Sequence, residues 1–151
     1  MIRDDIKAAL VTAMKSGDKA RTATLRLVSS SLKNRDIELR GAPAPADDDV
    51  TVTEVLQKMV KQRRESVALY EQGGRQELAD AETAEIEVIE AFLPRQMSED
   101  EAKAAIDAIV AETGASSVKD MGRVMAAMKE RHSGSLDMSK ASSLVKARLS
   151  A

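Results

Sequence analysis

The chain has 151 residues, no cysteine, one histidine and a formal net charge of −2. No cysteine means no disulfide, no thiolate metal site and no cysteine nucleophile. A near-neutral balance does not pull the whole chain onto nucleic acid or membrane, so any surface for a polyanion must be a local patch. Aromatic residues make up 1%, Tyr70 and Phe92 alone, which argues against single-strand binding by base stacking. Hydrophobic residues reach 43%, enough for a packed core, and helix-favouring residues dominate while β-branched runs are missing. The expected fold class is all-α: a four-helix N-terminal bundle over residues 1–93, a linker at about 94–96 and a small three-helix tail domain over 97–151. The opening MIRDDIKAALVTAMKSGD has early acids and no long apolar run, so it does not read as a signal peptide. No apolar run reaches membrane-spanning length. Together with the missing cysteines, this fits a cytoplasmic protein.

Apolar residues recur at helical spacing along nearly the whole chain. Ile2, Ile6, Leu10 and Ala13 mark a first helix that stops near Gly17. Asp18 can cap a second, with Leu25, Val28, Leu32 and Leu39 inward, ending near Gly41. The proline-containing acidic loop GAPAPADDD follows, with Asp49 or Thr51 as candidate caps. A third helix carries Val52, Val55, Leu56, Met59, Val60, Val67 and Tyr70 and stops at Gly73-Gly74. A fourth carries Leu78, Ala81, Ile86, Ile89 and Phe92, and Pro94 disfavours helix in the residue before it. Ser98 with Glu101 is a capping box that opens a fifth helix on Ile106, Ile109 and Val110, with Gly114 its natural stop. Ser117 with Asp120 is a second capping box, leading into SSVKDMGRVMAAMKERHSG. Asp137 can cap the last helix, with Ala141, Leu144, Val145 and Leu149 inward.

Charge separates within the tail. Its first helix is acidic, through Glu99, Asp100, Glu101, Asp107 and Glu112, and acids at a helix start also suit the helix dipole. Its last two helices are basic, through Lys119, Arg123, Lys129, Arg131, Lys140, Lys146 and Arg148, offset locally by Asp120, Glu130 and Asp137. Taken alone, such charge reads as a solvated face. Ser117, Met121, Val124, Met125 and Met128 share one helical face, which reads as core before it reads as an exposed partner groove. Gly122 and Ala126 are four apart and let another backbone come close, either a neighbouring helix or a sugar-phosphate chain.

The second helix has its own basic stripe. Lys19, Arg26, Lys33 and Arg40 are seven apart, and a helix drifts only ~20° per heptad, so all four share one side. A phosphate fits there, but ion pairing with the acids of the fourth helix (Glu77, Asp80, Glu82, Glu85, Glu87, Glu90) is the expectation. Those acids lack the histidine of a carboxylate di-metal bundle, and Asp47-Asp48-Asp49 lacks the spaced ligands of a calcium loop. No metal and no cofactor is expected. His132 beside Ser133 and Ser135 does not make a relay, and nucleophile elbow, P-loop and dinucleotide fingerprint are all missing. No catalytic residue is assigned and no small-molecule substrate is expected.

Three stretches, TLRLVSSSLKNRDI (24–37), KQRRESVALYEQGGRQELADAETAEIEVIEAFLPRQMSEDE (61–101) and GASSVKDMGRVMAAM (114–128), together resemble the YqeY family, also called GatB/YqeY. That family's tail is similar to the C-terminal domain of the B subunit of aspartyl/glutamyl-tRNA amidotransferase. The resemblance implies a helical body and a helical tail of the kind that contacts tRNA. Asp120-Met121-Gly122-Arg123-Val124-Met125-Ala126 stands against a family pattern closer to DMGKVMG; Arg123 keeps the charge and Ala126 replaces a glycine. On this resemblance Lys119, Gly122, Arg123, Lys129, Arg131, Lys140, Lys146 and Arg148 form the first candidate RNA-backbone surface, and Lys19, Arg26, Lys33 and Arg40 the second. The expected role is non-catalytic, with tRNA or a tRNA-bound enzyme as partner. A protein adaptor that never touches nucleic acid is one alternative. An accessory part of a glutamine-dependent carbon–nitrogen ligase is the other.

Overall fold

The computed structural model describes residues 1–44 and 47–151. Pro45 and Ala46, part of the expected proline loop, lie outside the described residues. The described residues form seven α-helices and no strand: α1 (Ile2–Ser16), α2 (Lys19–Glu38), α3 (Asp48–Gln72), α4 (Gln76–Glu90), α5 (Glu99–Thr113), α6 (Met121–His132) and α7 (Met138–Ser150). A single 3-10 turn, Val118–Asp120, precedes α6. The fold is all-α. Contacts divide the chain into two compact units, Met1–Leu93 and Pro94–Ala151.

Local sequence signals set most helix ends. Gly17 closes α1 at φ 74°, and the next N–H, of Asp18, reaches back to the Ala13 carbonyl at 3.0 Å. That left-handed turn suits glycine, which has no Cβ to clash. Asp18 then caps α2 by accepting the Arg21 N–H at 3.0 Å. The cap of α3 is Asp47, which accepts the Asp49 N–H at 2.9 Å. Asp49 and Thr51, the expected caps, lie inside the helix, because the neighbouring acids have other partners, given below.

In the first unit α1 packs on α2 and α3, α2 on α3 and α4, and α3 on α4. Ile6, Leu25, Val28, Val52, Leu56 and Ile89 are fully buried at the centre. Each large side chain of this kind contributes roughly 1.5–3 kcal/mol relative to leaving it in water. The expected inner face of α4 is out of phase at its start. Ala79 is wholly buried, whereas Leu78 is 42% exposed and Ala81 is exposed. Both Leu78 and Ala79 fit a three-four spacing with Ile86 and Ile89, so periodicity alone does not choose between them, and a methyl group suits a tightly packed position.

Arg3 ties α1 to two other helices. Its Nη1 and Nη2 donate to Asp36 of α2 at 2.9 and 3.0 Å, and its Nε and Nη2 donate to Asp48 of α3 at 2.9 and 3.0 Å. The Ile2 N–H adds a bond to Asp49 at 2.9 Å. The first turn of α1, whose N–H groups have no partner within the helix, is thus held by the first turn of α3. The Arg3 bond holds the Asp48 carboxyl below the usual carboxylate range, with Lys7 adding a smaller pull, and the two acids raise Arg3 above its ordinary value.

The second unit is a mutual packing of α5, α6 and α7. The Ser98–Glu101 capping box is present, with Glu101 N–H on Ser98 Oγ at 3.1 Å and Ser98 N–H on Glu101 at 3.4 Å. Gly114 ends α5 at φ 68°, and Asp137 caps α7 through the Ser139 N–H at 2.8 Å. The stretch expected as a linker is bonded into this unit: Gln96 Nε2 donates to the Gly134 carbonyl at 3.0 Å and Met97 N–H to the Ser135 carbonyl at 2.7 Å.

Two outcomes follow from the Arg3 clamp. Arg3→Met keeps an apolar stem but leaves Asp36 and Asp48 unpartnered, and is expected to destabilise by about 1–2 kcal/mol in denaturant unfolding. The second concerns pH. Because the folded value of Asp48 is depressed, its stabilisation is fully present above the ordinary carboxylate value near 4 and is lost as pH falls through the folded value. Asp48→Asn is therefore expected to cost stability at pH 7 and to converge on the wild-type protein toward about pH 2, read as unfolding midpoints across that range.

Candidate nucleic-acid interface

The core of the second unit decides which side of each basic helix faces outward. Ile106 and Ile109 of α5, Val124 and Met128 of α6, and Ala141 and Val145 of α7 are buried to 1% exposure or less. Met121 and Met125 are half-buried against the same core. The methionine face is core, as its spacing suggests, and it offers no open groove.

Gly122 and Ala126 sit on the other side of α6 and are exposed. A Cβ built on Gly122 would meet nothing within 4 Å. A neighbouring helix is therefore not the reason for a small residue there. At about 100° per residue, Lys129, Gly122 and Ala126 fall within roughly 60° of one another on this outer face, with Glu130 at its border.

The eight candidate residues divide by side-chain type. Arg131 pairs with Glu112 of α5 at 2.8 Å, and Arg148 pairs with Asp107 of α5 at 2.8 Å. Arg123 pairs with Asp120 at 2.8 Å and donates to the Thr113 carbonyl at 3.3 Å. Among the described residues Lys119, Lys129, Lys140 and Lys146 make no ion pair, and all four are exposed. A guanidinium fork matches a carboxylate better than a flexible, strongly hydrated ammonium does. The acids of α5 thus neutralise arginines across the unit, a role beyond the helix dipole. Both α5 pairs are about half exposed, so solvent screens them and each adds little to the fold. Asp120 also accepts the Ser116 N–H at 2.9 Å, and this bond, then Arg123, holds its carboxyl below the usual range. Glu112 raises Arg131.

The second candidate stripe differs from its expectation. Lys19, Arg26, Lys33 and Arg40 are all exposed, and among the described residues none makes an ion pair. Two of the α4 acids expected to take them have partners on α3: Glu85 holds Arg63 at 2.8 Å, and Glu90 holds Arg64. Sequence reading missed Arg3, Arg63 and Arg64. The charges of the adjacent Arg63 and Arg64 were visible, but which acid each would meet depends on packing.

Among the described residues no group of three or more His, Asp or Glu side chains is placed to hold a metal ion. His132 is the last residue of α6, and its carbonyl accepts the Ser135 and Leu136 N–H groups. Among the described residues no helix is long and apolar enough to cross a membrane.

Comparison with known proteins gives a family. Residues 3–149 match the Yqey-like protein family. Among curated proteins, the chain is similar to "Altered inheritance of mitochondria protein 41, mitochondrial" of Eremothecium gossypii, 31% identical over 88 residues that cover 58% of this chain and 46% of that protein. The proteins of the same name from Clavispora lusitaniae and Kluyveromyces lactis are 32% and 30% identical, over 58% of this chain and 49% and 45% of theirs. The chain spans about half the length of these relatives. With all but its first two and last two residues inside the match, this chain belongs to the YqeY family.

Proposed function

We propose that the chain is a non-catalytic accessory protein that associates with tRNA, or with a tRNA-bound enzyme, through the outer lysines of its second unit. The observation that supports this reading is the partition of charge. The arginines of α6 and α7 are matched to acids, while Lys119, Lys129, Lys140 and Lys146 are left for an external partner. Ammonium groups contact phosphate as point charges, which positions a backbone without reading its sequence. The resemblance of the tail to the amidotransferase B subunit supplies the kind of RNA. In a glutamine-dependent carbon–nitrogen ligase such a part would hold tRNA while another subunit performs the chemistry. The adaptor reading needs an exposed methionine face, and Val124 and Met128 are wholly buried. The reading places the protein in the cytoplasm with its tRNA, whereas the names of the relatives place those proteins in mitochondria.

Titrating labelled tRNA into the full chain tests the proposal. Four phosphate contacts predict that affinity falls about 50–150-fold between 50 and 200 mM salt, from a log–log slope of roughly −0.7 to −0.9 per contact. No binding at low salt, or binding indifferent to salt, overturns it. Lys129→Gln with Lys146→Gln is expected to reduce the slope by about 2. Asp107→Asn with Glu112→Gln releases two guanidinium groups and is expected to tighten binding by about 3–10-fold. Gly122→Ala separates stability from contact: with open space around it, the change is expected to stabilise the second unit by about 0.5–1 kcal/mol in thermal unfolding while weakening tRNA binding if a backbone approaches there.

A further inference from the structure

The first unit holds a small cleft between α1 and α2, of about 220 Å³, whose floor is the buried pair Ile6 and Leu32. Its rim carries Arg3 and Lys7 from α1 and Ser29, Lys33 and Asp36 from α2. The Arg3 fork occupies both oxygens of Asp36 and turns its remaining donors to Asp48. Lys7 and Lys33 are thereby left without an ion pair among the described residues, on the rim of one cleft. Ser29 adds a third free group. Several helical hydroxyls donate to the carbonyl four residues back, as Thr24, Ser66, Thr83, Thr113 and Ser143 do. The Ser29 hydroxyl, half-buried at the cleft, makes no such bond among the described residues.

We propose that this cleft binds a phosphate group, held by the ammonium groups of Lys7 and Lys33 and the hydroxyl of Ser29. Two like charges brought to one concave rim repel each other, and an anion between them removes that cost. The volume decides what kind of anion. Pockets that enclose a drug-sized ligand run to about 300–1,000 Å³, so this cleft takes one phosphoryl group and leaves the rest of the molecule outside. The apolar floor excludes water behind the anion and strengthens each contact. Asp36 stands on the same rim, but both of its oxygens are held by Arg3, which offsets its repulsion of an anion. The site lies in the first unit and does not rest on the tRNA reading of the second.

The test follows backbone amide signals of the full chain by NMR as inorganic phosphate, a phosphate monoester and a short RNA duplex are added at constant ionic strength, with sodium chloride as the reference. The expected result is a saturable shift confined to residues around Lys7, Ser29 and Lys33. Lys7→Gln with Lys33→Gln is expected to weaken it by at least about tenfold, and Ser29→Ala by less. Lys58→Gln, exposed on α3 and outside the cleft, is expected to leave it unchanged. Saturation by the monoester at the lower concentration identifies a small phosphorylated molecule as the source; saturation by the duplex identifies an RNA phosphodiester. Shifts that do not saturate, that match chloride, or that survive the double lysine change overturn the proposal. All three positions are on the rim, and circular dichroism of each variant confirms that its helices remain.

Discussion

One guanidinium organises the first unit. Arg3 stands between Asp36 of α2 and Asp48 of α3 with four hydrogen bonds of 2.9–3.0 Å, while the Ile2 N–H rests on Asp49. Apolar contacts are non-directional and by themselves leave α1 some freedom to slide along its own axis. A planar fork with two carboxylates has little such freedom. The clamp ties α1 to α2, and Lys7 and Lys33 of these two helices line the cleft between them.

The same division of labour runs through both units. Among the described residues, arginines take carboxylates across helix–helix boundaries: Arg131 on Glu112, Arg148 on Asp107, Arg63 on Glu85, Arg64 on Glu90. Lysines are mostly left in solvent; the Lys103–Glu99 pair is a local contact within α5. Counting charges along the sequence treats both kinds of cation alike and so overstates the free positive surface. The tail has seven basic residues on its last two helices and their leading turn, but the side chains open to a partner are chiefly the lysines.

What the sequence shows well is what depends on residues close together in the chain. Gly17 and Gly114 as stops, Asp18 and Asp137 as caps, and the Ser98–Glu101 box each involve groups within a turn of one another, so spacing alone identifies them. The inner faces of α2, α6 and α7 follow in the same way from three-four periodicity. Three features escape that logic. Asp47 caps α3 in place of Asp49 or Thr51 because Asp49 is taken by the Ile2 N–H, 47 residues away. Ala79 is buried where Leu78 was expected, because close approach of two helices selects for a small residue and hydrophobicity does not report it. The stripe of Lys19, Arg26, Lys33 and Arg40 was legible as a stripe, but its lack of ion pairs among the described residues was not, since that depends on how the helices pack. For the candidate interface, the basic residues could be read off and their division into paired and free could not.

On the proposed reading, the acids of α5 have a consequence for binding. A carboxylate at 2.8 Å from a guanidinium occupies the place a phosphate would take, so Asp107 and Glu112 compete with RNA for Arg148 and Arg131. Each exposed pair is weak and screened by solvent, too little to block a polyanion but enough to favour one that meets several cations together. A lone phosphate gains from a single lysine and must displace a carboxylate to gain more. A folded backbone that reaches the lysines first is already held when it meets the arginines, and the exchange then costs little. An internal competitor of this strength suppresses casual attraction to anions while leaving the surface responsive to a shape that spans it, which is how a chain with a net charge of −2 can still select a polyanion.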